Sequence, residues 1–141
     1  MMYIDTNIFI YAIENHPKYG ASCKKILKDV ESGKIKVSAS ILVLVEAINV
    51  LNRLNKELRN EGKKTIDISM NVAAIESLPI KWLDLNLVII ERAAQYEYPI
   101  NPTDYVHLAT MELNQINEVI SADSDDLDKI KWVARTDPLD Y

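Results

Sequence analysis

The chain has 141 residues, 48% apolar and 26% charged, with a formal charge of −5, which predicts one domain over residues 1–141 and excludes a disordered chain. Three glycines, none spaced as in a dinucleotide or P-loop motif, exclude Gly-rich nucleotide binding; one cysteine and two histidines exclude a disulfide framework and a Cys/His zinc site. No apolar run is long enough for a membrane span and no leader is read, so the expected location is the reducing cytoplasm, away from any membrane.

Met2-Tyr3-Ile4 reads as a short strand that stops at Asp5-Thr6-Asn7, and Ile8 to Tyr11 continues as a helical turn. A helix follows from Pro17, with an apolar stripe at Tyr19, Cys23, Ile26, Leu27 and Val30 and Gly33 at its end. Cys23 on that stripe is a core residue. Ile35-Lys36-Val37 reads as a second strand, and Ser38 or Ser40 as the cap of a strongly apolar helix from Ile41 to about Leu54. Residues 55–65 are polar and contain Gly62, so they form an exposed helix end and connection.

Asp67 opens a helix that runs to Leu78 and stops at Pro79, and Ile80 to Leu83 is a strand. After a cap at Asp84 or Asn86, the residues Leu85, Val88, Ile89, Ala93 and Tyr96 form an amphipathic stripe. Asn101-Pro102, a cap followed by proline at the first helical position, opens a helix to about Asn114. A strand from Glu118 to Ala122 ends at Asp123, a short helix spans residues 126–130, and residues 132–135 form a last strand. Short strands alternating with helices predict a three-layer α/β/α domain around a short, mainly parallel sheet, and such sheets bind ligands at the carboxyl ends of their strands.

That rule gives meaning to four acids. Asp5 and Asp123 end two apolar strands; each alone is also an ordinary turn or cap residue. Glu46 lies among Val43, Leu44, Val45, Ala47 and Ile48, where an ionised carboxylate needs a partner such as Arg53, or a metal. Asp104 is the third residue of its helix, a position where an acid also favours the helix dipole and reciprocal capping. His107, three residues on, reads as a packed or hydrogen-bonded histidine rather than a catalytic one. Two carboxylates about 4 Å apart repel by about 4 kcal/mol at an effective dielectric of about 20, so four converging acids imply a cation, and an all-oxygen set suits Mg²⁺ or Mn²⁺ acting on a phosphate substrate.

Four segments resemble the PIN-domain nucleases, in particular the toxin ribonucleases of VapBC-type toxin-antitoxin pairs. Tyr3-Ile-Asp-Thr-Asn-Ile8 is similar to the opening strand signature of that family, Ser38 through Glu46 to its second-helix segment, Thr103-Asp-Tyr-Val-His-Leu-Ala109 to its helix-start acid, and Ile120-Ser-Ala-Asp-Ser-Asp125 to its last acidic motif. The resemblance implies a PIN-like fold and a Mg²⁺- or Mn²⁺-dependent endoribonuclease whose products carry 5′-phosphate and 3′-hydroxyl ends. It implies catalytic residues Asp5, Glu46, Asp104 and Asp123, of which Asp5, Asp104 and Asp123 hold the metal, and site-shaping residues Thr6, Asn7, Ser121 and Asp125. Its implied partners are an RNA substrate, a cognate antitoxin and a second copy of the chain.

Two features depart from the family pattern. Asp126-Leu127 stands where an aromatic is common, so either Asp125 or Asp126 can join the site, and Ser121 replaces the usual threonine while keeping the hydroxyl. Arg53, Lys56, Arg59, Lys63 and Lys64, interleaved with Glu57 and Glu61, form a solvated helix face or a contact for RNA phosphates. Competing readings are a receiver-like phosphoacceptor domain with Asp84 as acceptor, which the acid at Glu46 opposes, and a PIN-like module that binds RNA without cutting it. A haloacid-dehalogenase-like phosphatase would place an acid where this chain has Asn7.

Overall fold

The computed structural model describes residues 1–141. Five strands, β1 (Met2–Ile4), β2 (Val37–Ser40), β3 (Lys81–Leu83), β4 (Glu118–Ile120) and β5 (Ala134–Thr136), pair in the order β3-β2-β1-β4-β5, every pair parallel. Helices α1 (Thr6–Ile13) and α2 (Gly20–Glu31) link β1 to β2, α3 (Leu42–Asn60) and α4 (Ile68–Glu76) link β2 to β3, and α5 (Leu87–Ala93) and α6 (Pro102–Leu113) link β3 to β4. A single turn, α7 (Ser124–Leu127), precedes β5.

Alternation along the strands sorts the helices into two layers. Ile4, Val37, Ala39 and Ile120 face one way and pack with Phe9, Ile26, Val43 and Ile75, from α1 to α4. Tyr3, Leu83 and Val119 face the other way and pack with Ile89 of α5 and Leu108 and Met111 of α6. Burying both faces is what an all-parallel sheet requires, and it yields the predicted α/β/α sandwich. Cys23 is fully buried in the first layer, as its place on the α2 stripe predicts. No helix is long and apolar enough to cross a membrane.

Several boundaries move for identifiable reasons. The second strand lies at 37–40 rather than 35–37, because Ser38 and Ser40 pair with β3 and are completely buried. Ser40 also caps, since its hydroxyl accepts the Leu42 N–H at 3.0 Å. The cap of α5 is Asn86, whose side chain accepts the Ile89 N–H at 3.0 Å. The predicted stripe on α5 is only partly buried: Ile89 and Ala93 face the core, whereas Val88 is 61% exposed. The last helix and strand sit at 124–127 and 134–136, displaced from the predicted 126–130 and 132–135.

Residues 55–60 continue α3 as the helix end that the sequence predicts, and the polar connection hides one buried amide. Asn55 is 3% exposed, donates to the Ile66 carbonyl at 2.8 Å and accepts the Ile66 N–H at 2.7 Å. The side chain thus mimics a strand partner and closes the loop that returns the chain to α4. Asn55→Ala leaves both Ile66 groups unpaired, so it is expected to destabilise the fold by about 2 kcal/mol in urea unfolding. A loss below about 0.5 kcal/mol would mean that the clamp does not hold the loop.

Candidate active site

The strand order creates one topological switch point. From β1 the chain moves to β2 and β3 on one side, then crosses to β4 on the other, leaving a crevice beyond the carboxyl ends of β1 and β4. Asp5 directly follows β1, and Asp123 lies three residues past β4. Local chemistry fixes both. Asp5 is the N-cap of α1, in an extended conformation that turns its carboxylate back onto the Thr6 N–H, at 2.7 Å. Asp123 caps α7 by accepting the Asp126 N–H at 3.1 Å.

Asn7 and Ser121 join the two strand ends. The Ser121 hydroxyl donates to Asp5 Oδ2 at 2.7 Å and accepts from Asn7 Nδ2 at 3.1 Å and from the Asp123 N–H at 3.0 Å. Asn7 Oδ1 accepts the Ala122 N–H at 3.2 Å. A hydroxyl has one hydrogen and two lone pairs, and at Ser121 all three are used. This network holds Asp5 and Asp123 in one frame.

Glu46 projects from α3 with a side chain 23% exposed. Its partner is not Arg53, which is exposed, but His107 of α6, whose Nε2 meets Glu46 Oε1. Thr6 Oγ1 donates to the same oxygen at 2.9 Å. The surroundings are less apolar than the sequence suggests, because Val45 and Ile48 beside Glu46 are 52% and 45% exposed.

Asp104 occupies the third position of α6, but reciprocal capping is not its role. Asn101 caps the helix through the Thr103 N–H at 3.0 Å, while the Asp104 carboxylate accepts no hydrogen bond from the protein. It is held instead close to Asp123 and Asp126, one oxygen from each of the three lying within 4.8 Å of the others. Asp125 is exposed and outside this group.

Asp5, Glu46, Asp104 and Asp123 line a single cleft of about 260 Å³, together with Thr6, Asn7, Ile10, Tyr11 and Val50. No lysine or arginine lines it. Asp84, at the end of edge strand β3, is not among its walls. Burial, reinforced by the Asp5 charge, pushes the Asp104 carboxyl up to about 7 against a pull from His107. Asp123 is also raised, by burial first, with the charges of Asp126, Asp5 and Asp125 adding to it and the Asp126 N–H opposing. For Glu46 burial works upward, but the donors on Oε1 prevail and hold it below the ordinary glutamate value. The cleft therefore combines one carboxylate kept ionised with a group of acids whose charges resist one another. Their hard oxygen donors fit a divalent cation.

Sequence reasoning did not find two residues of this arrangement in their roles. Asp126 was one of two equal alternatives, distinguished from Asp125 only by which side of a one-turn helix faces Asp104. For His107 the sequence offers its spacing, three residues beyond Asp104 and so on the same side of α6, which a merely packed histidine would share.

A model of the PIN domain family matches residues 2–133. Comparison with curated proteins finds no match. The chain is similar in structure to VapBC2 from Rickettsia felis, solved bound to a DNA fragment from their promoter, with TM-score 0.67, 16% identity and 97% of this chain and 98% of the other covered. It is also similar to the sarcin-ricin loop cleaving toxin VapC20 from Mycobacterium tuberculosis (TM-score 0.66, 18% identity, 89% and 92% covered). A toxin-antitoxin complex from Klebsiella pneumoniae gives TM-score 0.61 at 20% identity, with 95% and 96% covered. At these identities the likeness is one of fold.

The Asp104 carboxyl binds its proton more tightly in the fold than in the unfolded chain. In the metal-free protein, stability therefore falls as pH rises from about 4 to about 7, and the penalty is fully present above that window. Asp104→Asn is expected to raise metal-free stability by about 1–2 kcal/mol at about pH 8, allowing for solvent screening of a half-buried group, and to gain nothing at about pH 4. Denaturant unfolding at the two pH values checks this; an equal effect at both would refute the crowding.

Proposed function

The chain belongs to the PIN domain family, and from that membership we propose that it is a metal-dependent endoribonuclease, one nuclease domain over residues 1–141, acting as the toxin of a VapBC-type pair. The observation that carries this reading is the convergence of Asp5, Glu46, Asp104 and Asp123 on one cleft whose lining holds no lysine or arginine. The missing positive charge would come from a divalent ion, Mg²⁺ or Mn²⁺, which would also attract the phosphodiester anion of a substrate into a cleft that would otherwise repel it.

Asp5, Asp104 and Asp123 hold the ion, directly or through water, with Asp126 beside them. When bound, such an ion acidifies water and offsets charge on phosphoryl oxygens. The residues of the chain do the positioning. Ser121 and Asn7 keep Asp5 facing Asp123. Thr6 and His107 keep Glu46 ionised, ready to accept a hydrogen from the attacking water as it aligns with the scissile P–O bond. Products carrying 5′-phosphate and 3′-hydroxyl ends are what the resemblance to PIN-domain nucleases implies, with the P–O3′ bond as the one that breaks.

RNA as substrate, an antitoxin whose basic side chain enters the cleft, a homodimer and a cytoplasmic location belong to the same proposal. The relatives described as toxins and toxin-antitoxin complexes support it. Arg53, Lys56, Arg59, Lys63 and Lys64 are all exposed and can meet phosphates beyond the cleft.

Purified protein should cut labelled RNA with Mg²⁺ or Mn²⁺, cut it no longer in excess chelator, and leave DNA of the same sequence intact. Asp5→Asn and Asp104→Asn should each lower the rate on the order of 100-fold or more. Cleavage that is equal in wild type and both variants refutes the site. Metal-dependent retention of RNA without cleavage favours the non-cutting module.

A further inference from the structure

A hydrogen-bonded chain runs beneath the cleft from the sheet to Glu46. The backbone N–H of Ser40 donates to Tyr3 Oη at 3.2 Å. Tyr3 Oη lies 2.5 Å from His107 Nδ1, and His107 Nε2 meets Glu46 Oε1. Tyr3 is 1% and His107 6% exposed, so water does not complete their hydrogen bonding. The chain joins β1, β2, α3 and α6, the elements that carry or adjoin Asp5, Glu46 and Asp104.

Proton counting assigns the tautomer. Burial disfavours a charged imidazole, but the hydrogen bond to Glu46 and the charges of Asp5, Glu46 and Asp104 outweigh it and raise the pKa of the ring; for the neutral ring, the phenol selects the tautomer. Tyr3 is kept protonated by burial, its oxygen accepts the Ser40 N–H, and the short side-chain hydrogen bond of the phenol is with Nδ1 of His107. An imidazole that accepts at Nδ1 is neutral and carries its hydrogen on Nε2, which then points at Glu46. Reversing the tautomer would set a lone pair at Nε2 against the Glu46 carboxylate and a second hydrogen at Nδ1 against the phenol hydrogen.

We infer that Tyr3 and His107 are positioning residues for Glu46: the tyrosine fixes the Nε2–H tautomer, and the imidazole, with Thr6, occupies Oε1 so that Oε2 alone is presented to the cleft. Oε2 accepts no hydrogen bond from the protein, and Glu46 lines the cleft. The inference rests on the nuclease reading for its consequence on rate, but the tautomer does not depend on that reading. A glutamate on a 19-residue helix has three free side-chain torsions; bonds to Oε1 from two other helices remove that freedom before substrate arrives.

The test has two arms. Histidine-selective ¹⁵N NMR of the metal-free protein reads the ring nitrogens directly, and with only His16 and His107 in the chain the variant His16→Gln assigns them. Nε2 protonated and Nδ1 bare is expected for His107, with Tyr3→Phe eroding that preference. A ring protonated at Nδ1, alone or with Nε2, or unmoved by Tyr3→Phe, overturns the inference even if RNA is cut.

The second arm is a kinetic cycle. His107→Leu should lower kcat about 30-fold with KM changed less than about 3-fold, the range seen when a residue orienting a primary ligand is lost. His107→Gln, which returns an N–H near the Nε2 position, should recover most of that loss. On a Glu46→Gln background, His107→Leu should cost almost nothing more, because its effect runs through the carboxylate. Additive losses, or Gln as damaging as Leu in proteins folded to the same extent by circular dichroism, overturn it. A wild type that cuts no nucleic acid refutes the nuclease reading instead, and leaves the tautomer to the spectra.

Discussion

Mutual repulsion among carboxylates is the constraint around which this molecule is arranged. Asp104, Asp123 and Asp126 place oxygens within 4.8 Å of one another, and Asp5 and Glu46 open onto the same cleft. At an effective dielectric of about 20, each close pair costs a few kcal/mol, comparable with a good part of the net stability of a small domain. Such a concentration survives because the fold around it is over-determined. The acids sit on a helix cap, a helix start and a strand end, where local backbone chemistry holds them regardless of their charge. The site is thus poorly stabilised as a bare protein and well suited to receive positive charge, a division of labour common at functional centres.

Backbone architecture was readable because it depends on patterns within a few residues. The three apolar residues before Asp5, the Asn101-Pro102 cap and the Gly33 stop each act locally, and the strand and helices they predict are present. Gly33, at φ +80°, takes the left-handed turn expected after α2. The convergence of acids was also accessible, because in a parallel sheet the ends of strands are an address: Asp5 after β1 and Asp123 after β4 meet through topology alone. Failures cluster where tertiary contact overrides local preference. Ser38 looks like a helix cap but is drawn into the sheet by β1 and β3, Ser40 combines its cap with a place in the strand, and Asn55 looks like a surface amide but completes a loop eleven residues away. Val88 follows the helical period of α5, yet with only seven residues the helix turns a single narrow face inward.

The partner of Glu46 shows the same limit. Charge balance alone directs attention to an arginine two turns away, whereas the structure supplies a neutral-looking histidine 61 positions on. The gap between α3 and α6 in the sequence makes that pairing invisible to periodicity, and only the packing of both helices against the sheet creates it. His107 was correctly read as a hydrogen-bonded residue; what lay out of reach was the identity of its neighbours, and with it the reason a polar ring occupies a site 6% exposed.

Asn7 shows how narrowly amide and acid are separated in such a setting. Its two terminal atoms are not interchangeable: the oxygen faces the Ala122 N–H, and the nitrogen faces Ser121 Oγ and, at 3.5 Å, Asp5 Oδ2. Aspartate is nearly isosteric, but it would turn the second of these from an attraction into a collision of lone pairs and charge. A phosphatase that keeps two acids at this bend of the chain must therefore shape the following strand differently. In this molecule an amide nitrogen is one of the rivets between two strand ends, and the vocabulary of reactions open to the crevice is narrowed before any ligand arrives.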